Sequence, residues 1–95
     1  MRLPKMNLDE AETIAAAGLT LLAEVPERAG RFLALSGLDP ANLRQIASTA
    51  AFQCAVLTHV RGDESLLLVL AARLGIDASR IAEAERLLSG DDGHN

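Results

Sequence analysis

The chain has 95 residues, 49% of them apolar, and a formal net charge of −4. That is one domain's worth of polypeptide, able to bury roughly 60–70% of its unfolded surface in one modest core. The acidic balance disfavours nonspecific attraction to nucleic-acid phosphates or to an anionic membrane surface, both of which need a positive footprint.

Phe32 and Phe52 are the only aromatic residues, so the core is expected to be aliphatic and the chain offers no platform for stacking single-stranded bases. Leu and Ala dominate, and both favour helix over strand. The single cysteine, Cys54, rules out an internal disulfide and fits a reducing compartment. Residues 1–6 lack the apolar stretch of a signal peptide. The longest apolar run, residues 66–72, is far too short to span a bilayer. A cytoplasmic protein is the expectation.

Residues 1–7 read as a flexible lead-in, with Asn7 or Asp9 as the cap of a first helix over about 8–24. Its apolar positions Leu8, Ala11, Ala15, Gly18, Leu19 and Leu22 recur at helical spacing, and Ile14, Leu21 and Val25 widen the stripe. Pro26 stops that helix and suits the first turn of the next. The second helix runs to about Ser36 and is expected to bury Ala29, Phe32, Leu33 and Leu35, with Glu27 and Arg31 paired on its outside. Gly37-Leu38-Asp39 then forms a joint: glycine takes the left-handed turn, and aspartate caps the next helix.

Pro40 opens a third helix carrying Leu43, Ile46 and Ala47. The apolar phase slips between Ile46 and Phe52, which lie about 240° apart on a continuous helix. A break is therefore expected at Ser48-Thr49, before a fourth helix with the stripe Phe52, Val56 and Val60. Gly62 ends it, and Asp63 caps a fifth. The fifth helix, about 64–74, is apolar all round over residues 66–72, which places it at the centre of the bundle. Gly75-Ile76-Asp77 repeats the first joint 38 positions later. The sixth helix, about 78–88, turns Ile81, Ala84, Leu87 and Leu88 inward, and residues 90–95 form a polar tail expected to be disordered. The same three-residue phrase at two joints leaves open whether the halves arose by duplication or by convergent turn chemistry. The fold class is all-α: five or six short helices in residues 8–89 around the apolar helix at 64–74.

Catalytic chemistry finds little support. Cys54 and His59 are five apart on one helix, about 140° in projection, so they cannot form a nucleophile–base pair. Two histidines fall short of a zinc set, and Asp91, Asp92 and His94 sit in the tail. Asp39, Asp63 and Asp77 read as caps; Glu10, Glu12, Glu83 and Glu85 read as solvated faces. Arg61-Gly62-Asp63 reads as one helix end followed by a cap. No glycine-rich phosphate loop occurs. No catalytic, metal or cofactor residue is assigned, and the chain is expected not to be an enzyme.

Two function classes remain. The first is a protein-interaction module or small homo-oligomer, with Arg28, Arg31 and Arg73 as candidate contact residues. The second is a DNA-binding helix-turn-helix built from the helices at 64–74 and 78–88, which would offer Ser79, Arg80 and Arg86 to the groove. Glu83 and Glu85 on that second helix would oppose a polyanion. Nucleic acid is therefore the disfavoured partner.

Arg31-Phe32-Leu33-Ala34-Leu35-Ser36-Gly37-Leu38-Asp39-Pro40, followed by Leu43-Arg44, resembles the family called domain of unknown function 3572. Asp63-Glu64-Ser65-Leu66-Leu67-Leu68 and the Gly75-Ile76-Asp77 joint match its second half, so the likeness covers roughly residues 10–89. Thr49-Ala50 stands where that family often has Asp-Pro. The resemblance implies a small helical bacterial cytoplasmic protein and supplies no activity, cofactor or catalytic residue.

Overall fold

A computed structural model describes residues 5–90. The expectations for residues 1–4 and 91–95, including the tail carboxylates and His94, lie outside the described residues. Six α-helices follow one another: α1 (Leu8–Ala23), α2 (Pro26–Ser36), α3 (Leu43–Ile46), α4 (Ala50–Arg61), α5 (Glu64–Leu74) and α6 (Ala78–Leu88). A 3₁₀ turn, Pro40–Asn42, leads into α3, and no strand occurs among the described residues. The all-α bundle expected from composition and periodicity is the fold of the chain.

Five of the six helix starts are chemically explained. Asn7 accepts from the Glu10 backbone N–H while Glu10 accepts from that of Asn7, a reciprocal capping box. Pro26 occupies the first position of α2. The Thr49 hydroxyl accepts from the Phe52 N–H, and the chain breaks at Ser48-Thr49 where the apolar phase slips. Asp63 accepts from Ser65 and Leu66, and Asp77 from Ser79. Gly37 and Gly75 both take left-handed conformations, with φ of 73° and 66°. The two joints are not identical. Gly37 N–H donates singly to Leu33, whereas at the second joint Ile76 N–H reaches Ala71 and Gly75 N–H reaches Ala72, a Schellman closure.

The core forms where α1, α4 and α6 pack on one another. Leu21, Leu22, Val56, Leu57, Leu70 and Ile81 are fully buried there; each such side chain contributes roughly 1.5–3 kcal/mol. Ala11, Ala15 and Gly18 share one buried side of α1, which keeps that helix slim where its neighbours approach. Asn7 is a cap, one of the two expected, and Met6, in the stretch expected to be a flexible lead-in, packs into the domain. Met6 is buried, and its N–H donates to Glu83 Oε2 at 3.3 Å.

The helix expected at the centre is instead at the side. α5 buries only Leu66, Leu70 and Ala71, while Leu68 is 56% and Val69 39% exposed. An apolar composition states how much cover a helix wants, not from which side it comes. α1, α4 and α6 share the centre, and Arg80, Glu83 and Glu85 of α6 are engaged by partners there. Two further apolar positions are corrected. Leu35 is 72% exposed because α2 is fixed by Phe32, Leu33 and the Arg28 bond to α1 and leaves a groove beside its Leu35 side, and Leu8 is exposed at the outer first turn of α1. Glu27 and Arg31 form no ion pair among the described residues; both reach into water, where such a pair is worth little.

Phe32 anchors α2. Its ring meets Phe52 edge-on at 5.9 Å and His59 at 5.3 Å, both on α4. Phe32→Ala is expected to cost about 3 kcal/mol, read as a fall in the urea midpoint by helical circular dichroism. At Gly75 a Cβ would meet nothing within 4 Å, so any penalty there is purely one of backbone conformation. Gly75→Val is expected to destabilise by about 1 kcal/mol or more, and Gly75→Asn, which tolerates the left-handed region better, by less. An unchanged midpoint for the valine variant would show the joint to be indifferent to φ.

Candidate functional site

The cleft between α2 and α4 brings apolar side chains together with a thiol, hydroxyls and an imidazole. Phe32, Leu35 and Ser36 of α2 face Ala51, Cys54, Ala55, Thr58 and His59 of α4 across an open groove of about 460 Å³. The arrangement follows from Phe32 being the one buried residue of α2. Phe32 anchors the helix to α4, Leu33 and Arg28 hold it to the core and to α1, and the Leu35 side stands away. At the α4 end the groove continues past His59 to Arg28, Arg31, Asp63 and Leu66.

The candidate interaction residues divide accordingly. Arg28 and Arg31 meet at this cleft. Arg28 Nη1 donates to the Leu21 carbonyl at 3.2 Å, tying α2 to the end of α1, while Arg31 is exposed on the rim. Arg73 lies elsewhere, on α5, where its two Nη groups donate to Glu24 at 2.5 and 2.7 Å.

The helix-turn-helix residues do not form a basic face. Arg80 is half-buried and donates to Glu83 at 2.9 Å and to Glu10 at 3.5 Å. The Ser79 N–H caps onto Asp77 at 2.9 Å. Arg86 is exposed on α6. The inner side of α6 is occupied by α1 and α4, so the helix has only a narrow free strip to present. Glu10, Glu83 and Glu85, read as solvated, are engaged. Glu10 closes the first cap, Glu83 takes Met6 and Arg80, and Glu85 accepts from Thr58 Oγ1 at 2.5 Å and from Arg61.

Cys54 and His59 line the same groove without a recorded contact between them among the described residues. The Cys54 thiol is 3.8 Å from the Glu85 carbonyl. Among the described residues no three His, Cys, Asp or Glu side chains cluster for a metal, and no helix is long and apolar enough to cross a membrane. The groove offers an apolar floor with one guanidinium and one imidazole at its margin. Leu35 was the residue that sequence reasoning missed, because its spacing after Phe32 is that of a core position.

Two carboxyls are held by neighbouring donors and contribute a pH-dependent share of the stability. The hydrogen bond from Arg73 holds Glu24 below its ordinary 4.5, and the Ser79 hydroxyl and N–H hold Asp77 below 3.8. Lowered folded values mean the unfolded chain binds protons more readily. This stability is complete above the ordinary values and is lost as pH falls through the lowered ones. Glu24→Gln is expected to be less stable at neutral pH and to lose stability less steeply below the ordinary glutamate value, as followed by urea titrations across pH. Equal slopes for the two proteins would remove Glu24 from the account.

No curated protein and no solved structure matches the chain. A family model described as "Protein of unknown function (DUF3572)" matches residues 8–91, which takes in all six helices and both glycine joints. The chain belongs to that family.

Proposed function

We propose that this chain is a non-catalytic docking module of the bacterial cytoplasm, whose α2–α4 groove receives the apolar face of a helix from a partner protein. The observation that carries this reading is Leu35, 72% exposed on the wall of a groove floored by Phe32, Ala51 and Ala55. A leucine held in water beside a concave apolar surface is the arrangement that helix-in-groove recognition uses. Arg31 on the rim suits a carboxylate flanking the apolar face of such a helix. The net charge and the pairing of Arg80 with Glu10 and Glu83 favour a protein over a nucleic acid. One half-buried cysteine suits a reducing compartment.

The immobilised protein is expected to capture a partner from lysate of its source, and Leu35→Asp to abolish that capture with unchanged circular dichroism. Capture of the same partner by both proteins, or by neither, would count against the groove. Labelled duplex DNA titrated at low salt is expected to remain unbound.

A further inference from the structure

We draw no further inference here: the strongest candidate, the apolar strip of Leu68 and Val69 on the outer face of α5, is an unpartnered helix face, and nothing in the structure shows what covers it.

Discussion

Gly18 sets the distance between α1 and the helices that cross it. A Cβ at this position would lie 3.1 Å from Val56 Cγ1, 3.4 Å from Leu57 Cδ2 and 3.6 Å from Leu70 Cδ2. Interiors are packed as tightly as crystals, so a gap of one methyl group is either filled or absent. With Gly18, Ala11 and Ala15 on one side, α1 admits its neighbours at close range, Val56 and Leu57 of α4 and Leu70 of α5 standing against Gly18, and α1, α4 and α6 make most of the core. A three-helix core of this length has its inner surface fully used. α2 and α5 are left to lie against its flanks, each with one face towards water. The open groove beside α2 and the apolar strip on α5 are both results of that division.

Helix boundaries were legible because the chain marks them with residues that act locally. Pro26, the Gly37-to-Pro40 joint, Gly62-Asp63 and the Gly75-to-Asp77 joint work through φ preferences and side-chain caps within a few positions. The break before Thr49 was readable from a phase slip for the same reason. Which helix sits at the centre was not readable in this way. α6 carries Arg80, Glu83 and Glu85 and looks like a surface helix. It enters the core because Met6, Glu10 of α1, and Thr58 and Arg61 of α4 satisfy those charges. Such partners lie 24 to 77 positions away, and no local pattern announces them. At the candidate site, Arg28 and Arg31 could be placed together by their spacing. The groove itself is a gap between two helices, and a gap has no residue signature.

The repeated glycine joint also looks different with the helices in place. α2 and α5 coincide residue for residue at an offset of 38, and each flanks the preceding core helix, α1 and α4 respectively. After the joints the halves part. One continues into a 3₁₀ turn and the four-residue α3; the other continues into the eleven-residue α6, which closes the core. The Schellman closure at Gly75 belongs to the joint that delivers the longer helix.

The bond from the Met6 N–H to Glu83 joins residues 77 positions apart, at the seam where the first helix meets the sixth. A protein whose central seam unites its two extremities has no separable halves. Neither α1 to α3 nor α4 to α6 can bury Leu21, Leu22 and Ile81 without the other. Ordering that seam requires a loop of most of the chain to close, at an entropic cost that grows only with the logarithm of its length. The bundle is therefore a single cooperative unit, gained and lost whole, despite a primary structure that reads as two similar pieces laid end to end.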